Sequence, residues 1–176
     1  MVYKTIFVVF LSFFITKPTQ ENTINKNKEN TILHVAENKS VSKTEEKFSL
    51  IEENSATVPS LESFEIAYKG YENLKVQNKL ENSILTIIDF SLSSNTKRLW
   101  VIDMDSNEVL YHTLVAHGMN SGEEFATNFS NKSESYKSSL GFYLTAEIYT
   151  GKHGSSLKLD GIEKGVNDNA RERAIV

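Results

Sequence analysis

The stretch Leu99-Trp100-Val101-Ile102-Asp103-Met104-Asp105-Ser106-Asn107-Glu108-Val109-Leu110-Tyr111-His112-Thr113-Leu114-Val115 decides the fold. Two β-branched and aromatic runs flank Asp105-Ser106-Asn107, a cluster of turn formers, and this pattern reads as a β-hairpin. Just upstream, Ile84-Leu85-Thr86-Ile87-Ile88 is a short apolar run of the same character, and Leu140 to Tyr149 is a further strand candidate. Leu157-Lys158-Leu159-Asp160-Gly161 alternates like a strand and ends in a turn. Ahead of these, Leu61, Phe64, Ala67, Tyr68, Tyr71 and Leu74 recur at helical spacing behind Ser60, a plausible N-cap. That helix should end between Asn73 and Asn82, where Gln, Asn and Lys dominate. The expected domain is mainly β with one leading amphipathic helix.

Outward from this core the composition changes. All eight glycines and the single Trp lie after Leu61. Residues 21–60 are dominated by Asn, Lys, Glu, Ser and Thr, with Phe48 their only aromatic. Their apolar residues are scattered without sustained period, so the segment is expected to be a flexible polar spacer. Residues 1–20 open with Lys4 and the apolar run Thr5 to Ile15, which has the form of a secretory signal peptide or an uncleaved N-terminal anchor. The run is shorter than the ~20 residues that span hydrocarbon.

The whole chain of 176 residues holds 19 basic and 23 acidic side chains, a net charge of 19 − 23 = −4. That balance argues against nucleic acid as a partner, which demands a basic footprint. The absence of cysteine removes disulfides, thiolate metal sites and any sulfur nucleophile from these residues. A serine hydrolase fails on the absence of a Gly-x-Ser-x-Gly elbow. A metal site fails too, because no His-Glu-x-x-His helix occurs and Glu123-Glu124 has no partners at a diagnostic spacing. Of the four histidines, His34 falls in the spacer and His112 projects from a strand face. His117, followed by Gly118, and His153, within Gly151-Lys152-His153-Gly154, are the candidates for function, against a loop-ordering hydrogen bond as the plainer alternative. The cluster Asn167-Asp168-Asn169-Ala170-Arg171-Glu172-Arg173 reads on its face as a solvated turn or short helix with local ion pairs. Ala174-Ile175-Val176 reads as the opening of a strand.

Taken in order, several motifs resemble the murein L,D-transpeptidase catalytic-domain family of YkuD-like type. They are Leu85-Thr86-Ile87-Ile88-Asp89-Phe90-Ser91, Val115 to Gly122, Ser138-Ser139-Leu140-Gly141-Phe142-Tyr143, Gly151 to Gly154, Leu157 to Gly161 and Asn167 to Val176. The resemblance covers residues 61–176 and implies a partial catalytic domain with a β-sandwich fold. It also implies export to the periplasm or cell envelope of a bacterium, action on peptidoglycan stem peptides, and no cofactor. In the family a cysteine thiolate attacks the donor amide, a histidine is the base, and backbone N–H groups hold the oxyanion. The family's His-Gly and Ser-x-Gly-Cys motifs follow the Ala-Ile-Val strand, so a chain stopping at Val176 is expected to be truncated before both and inactive as given. The resemblance leaves His117, Gly118, Gly141, Lys152, His153, Gly154, Asn167 and Arg171 as substrate-binding candidates, with Arg171 or Lys152 facing stem carboxylates. The alternative is a non-catalytic peptidoglycan-binding or membrane-tethered structural module.

Overall fold

The computed structural model describes residues 6–10, 42–151 and 154–176. Its elements are β1 (Ile6–Phe10), α1 (Lys43–Asn54), α2 (Leu61–Val76), β2 (Ile84–Asp89), β3 (Leu99–Asp103), β4 (Glu108–Thr113), β5 (Gly141–Gly151) and β6 (Gly154–Gly161). The strands form one six-stranded sheet in the order β4-β3-β2-β1-β5-β6. All neighbours are antiparallel except β1 and β2.

Strand alternation gives each face of this sheet its own core. From β2, Leu85 and Ile87 point one way, joined by Trp100, Ile102 and Met104, and meet Phe64, Ala67, Tyr71 and Leu74 of α2. Ile88 and Phe90 point the other way, to Tyr143, Leu159, Ala126 and Ala170. Helices therefore cover one face, while the second is covered by the loops of 115–140 and 162–175. The architecture is mainly β and agrees with the expected incomplete β-sandwich, with loops standing where a second sheet would pack.

The hairpin forms where the sequence placed it. Leu99 pairs with Thr113 and Asp103 with Glu108, and Asn107 takes the positive φ (60°) of the turn. The Asp103 carboxylate accepts from the Asp105 amide at 2.9 Å, which closes the corner. Ser60 caps α2 by accepting from the Ser63 amide, and the helix ends at Val76 as predicted.

Three expectations differ. First, the polar spacer does not run to residue 60. Ser42 and Glu45 make a reciprocal capping box, and α1 follows from it. The helix is held from outside itself: Phe48 and Ile51 are buried, and the Phe48 ring lies 5.2 Å from that of Phe64 on α2. Second, five residues of the expected leader, Ile6–Phe10, form a strand between β2 and β5; the rest of residues 1–20 lie outside the described residues. Among those residues no helix is long and apolar enough to cross a membrane. Third, residues 174–176 are not extended into a strand, because Ala174 sits at φ 55° and Ile175 turns back to donate to the Ala170 carbonyl at 3.0 Å.

Gly70, in the middle of α2, shows how closely helix and sheet approach. A β-carbon there would stand 2.1 Å from Cε1 of the Phe142 ring, which packs against the helix-side core. Gly70→Ala should gain about 1 kcal/mol in helix propensity and lose about 1–3 kcal/mol by overpacking the ring. Urea unfolding is expected to show a net loss, recovered in the double variant with Phe142→Leu. A Gly70→Ala chain more stable than the parent would refute the close contact.

Candidate functional site

On the loop-covered face two crossing segments bound a cleft. Residues 116–122 and 135–139 touch backbone to backbone at Gly118, where a β-carbon would meet the Tyr136 carbonyl oxygen at 2.6 Å. Only glycine allows this crossing. The Gly118 amide donates to Ser138 Oγ (3.0 Å), the Ser138 amide to Ser121 Oγ (2.8 Å), and the Asn120 amide to the Tyr136 carbonyl (2.9 Å). The cleft beside them has a volume of ≈ 670 Å³, and its lining includes His117, Met119, Glu134, Lys137, Glu172 and Arg173. A smaller cavity of ≈ 80 Å³, lined by Ile88, Phe90, Tyr143, Leu159 and Ile175 among others, lies beside it.

His117 is held in one tautomer. Its Nδ1 accepts from Arg98 Nη2 (2.8 Å), so its Nε2 carries the proton and donates to the Gly122 carbonyl (3.1 Å). Arg98 itself is fully buried. It donates to the carbonyls of Val115 and Leu92, and its guanidinium lies 4.9 Å from the Phe90 ring centroid. Burial pushes its pKa down, and the charge of Asp89 opposes that shift. Both imidazole nitrogens of His117 are thus engaged in ordering the loop.

Arg173 ties the other wall. It donates to the carbonyls of Ser130 (2.6 Å) and Lys137 (2.5 Å) and to the hydroxyls of Ser135 (3.0 Å) and Ser139 (2.5 Å). All four acceptors are neutral, so the positive charge of Arg173 faces the cleft without a carboxylate on it. Lys137 adds a second cation to the lining, and Glu134 and Glu172 supply carboxylates.

The structure sorts the sequence candidates into separate places. His117 and Gly118 are at the cleft. Gly141 and Asn167 meet at the start of β5 in a buried structural joint. The Asn167 amide group donates to the Phe142 carbonyl (2.9 Å) and accepts from the Glu163 amide (2.9 Å), while Glu163 accepts from the Phe142 amide (2.7 Å). Gly141, at φ 109°, has no room for a β-carbon beside Glu163. Arg171 lies on the outside of the β5–β6 hairpin, paired bidentately with Asp160 (2.5 and 2.9 Å) and with Glu147 (2.8 Å). Gly154, φ 105°, pairs with Gly151 at the hairpin's tip. Lys152 and His153 lie outside the described residues, as does His34.

Sequence reading missed Arg98, Arg173 and Glu163. The Lys97-Arg98 pair has the look of a solvated turn, and nothing local announces the distant carbonyls that Arg98 reaches. Glu163 and Asn167 offered a signal in their four-residue spacing behind Gly161. No cluster of three or more potential metal ligands occurs among the described residues.

With this geometry in view, one family matches the chain: the L,D-transpeptidase catalytic domain, over residues 55–176. No curated protein and no solved structure matches it.

Two measurements check the site. Long-range nitrogen–proton NMR of His117 should show the Nε2–H tautomer, and His117→Ala should cost about 1–3 kcal/mol by leaving the Arg98 and Gly122 groups unpaired. A freely exchanging pair of tautomers would contradict the assignment. For the outer ion pairs, Lys158 and then Arg171 hold the Glu147 carboxyl down to about 2, from 4.5. A depressed carboxylate stabilises the fold above pH 4.5, and that contribution fades as pH falls toward about 2. Carboxyl-carbon titration should show this low midpoint and its rise toward 4.5 in both Lys158→Ala and Arg171→Ala. An unmoved midpoint would break the attribution.

Proposed function

Since the chain belongs to the L,D-transpeptidase catalytic-domain family, we propose that it engages peptidoglycan stem peptides in a bacterial cell envelope, and that the 176 residues given supply binding and not the family's sulfur nucleophile. The observation that carries the reading is the family match over residues 55–176 in a sequence without a cysteine. Acyl transfer of the family's kind needs a thiolate, a base and preorganised N–H donors around one carbonyl. The thiolate has no source in these 176 residues. His117, with both ring nitrogens engaged by Arg98 and Gly122, is a loop tie and not a free base.

What these residues offer is a cleft with charges of both signs. Stem peptides carry carboxylates and amines; the Lys137 ammonium would pair with the former, with the charge of Arg173 behind it, while Glu134 and Glu172 offer carboxylates to the latter. This moves the expected carboxylate contact from Arg171, which is already saturated by Asp160 and Glu147, to the cleft wall.

The purified chain should be retained by insoluble peptidoglycan through moderate salt, with retention reduced several-fold in Lys137→Glu. Absence of retention would defeat the binding reading. Intact-mass analysis after incubation with a carbapenem should show the unmodified mass. A gain equal to the drug would mean that a nucleophile other than cysteine performs the chemistry.

A further inference from the structure

We propose that the gap between β2 and β5 is a strand-acceptor site, and that its occupant, Ile6–Phe10, exchanges between copies of this chain. β2 and β5 do not pair with each other. β1 stands between them, parallel to β2 from Ile6↔Leu85 to Phe10↔Asp89, and antiparallel to β5 from Ile6↔Leu144 to Val9↔Gly141. One five-residue strand therefore joins the β4-β3-β2 half of the sheet to the β5-β6 half. Emptied, the gap would expose two facing rows of backbone donors and acceptors in the middle of a sheet, each seeking a partner.

The gap selects its occupant by chemistry. Its walls are β2, where Leu85, Ile87 and Ile88 are buried, and β5, where Tyr143 is buried and Phe142 and Leu144 pack on the helix-side core. Such a place takes an extended, uncharged segment rich in β-branched and aromatic residues, and Ile6-Phe7-Val8-Val9-Phe10 has that composition throughout. The ladder is made by backbone groups, which are the same in every copy.

Chain length permits the exchange. Between Phe10 and Ser42 lie residues 11–41, and a stretch of that length reaches up to roughly 100 Å at about 3.3 Å per residue. The strand can thus occupy its own gap or that of a second molecule. A tether of this kind keeps the local concentration of the strand in the millimolar range. Occupancy from within the same chain is therefore expected at micromolar concentration, and exchange as the concentration approaches that range, by the route of domain swapping.

The test uses the full chain with a protease site inserted after Asn30, prepared in light and isotopically heavy forms. After cleavage at micromolar concentration the N-terminal fragment should co-elute with the remainder, and the amides of β2 and β5 should keep their protection from hydrogen exchange. When light and heavy cleaved chains are mixed, native mass spectrometry should show their fragments scrambling toward the mixing ratio. Uncleaved chains mixed near millimolar concentration should give light–heavy dimers. Release of the fragment with β2 and β5 protection unchanged would overturn the acceptor site. A retained fragment that never scrambles would overturn the exchange.

Discussion

The constraint on which the rest depends is that β2 is buried on both faces. Residues 85–90 are all buried, and they alternate between two cores. Leu85 and Ile87 anchor the helices, and Ile88 and Phe90 anchor the loops that form the cleft. Full burial of one such side chain is worth roughly 1.5–3 kcal/mol, so this one strand supports both layers. The polar residues on it must then be satisfied internally. Asp89 accepts from the Ser91 amide and hydroxyl and from Ser63 Oγ, and Ser63 in turn accepts from Ser60, the cap of α2. The start of the helix and the end of the central strand are thus joined by one chain of hydrogen bonds, with a carboxylate set near the positive end of the helix.

That dependence also explains what could be read from the sequence and what could not. The hairpin of β3 and β4 was legible because strand period and turn chemistry are local, and Asn107 adopts the left-handed conformation that its residue type favours. Helix α2 was legible because six apolar residues repeat at its period. Helix α1 was not, since Phe48 and Ile51 are only two buried positions in a polar segment, and their partner Phe64 lies on another element. Its capping box, Ser42 with Glu45, was the one local sign available. Ile6–Phe10 presented the opposite problem: an apolar, β-branched run has the same composition as a leader and as a central strand. Its pairing is with β2 and β5, far along the chain, and pairing leaves no trace in periodicity.

At the site the same division holds. Gly118 and Gly141 stood out as glycines in suggestive motifs, and both answer to a close approach in the fold. The guanidiniums could not be ranked from sequence. Arg171, the apparent candidate, is spent on exposed carboxylates, where ion pairs add little to stability. Arg98 and Arg173, which hold the cleft, are defined by carbonyls that arrive from residues 92, 115, 130 and 137. Such acceptors are backbone atoms and carry no residue identity.

The choice of neutral acceptors for both arginines has a consequence for the cleft. A buried guanidinium paired with a carboxylate is a closed unit, and its field beyond the pair is small. A guanidinium held by carbonyls and hydroxyls keeps its net charge, and the carbonyl dipoles fix its position without cancelling it. Burial still pushes the pKa of Arg98 down, with Asp89 opposing that shift, and its donors are engaged inside the core by the carbonyls of Val115 and Leu92 and by His117. Arg173 is surrounded by Ser130, Ser135, Lys137 and Ser139, none of which carries a negative charge. It lines the cleft together with Lys137, Glu134 and Glu172. A guanidinium fixed by neutral acceptors, in a cleft whose lining also holds Lys137 and two carboxylates, keeps charges of both signs in one place.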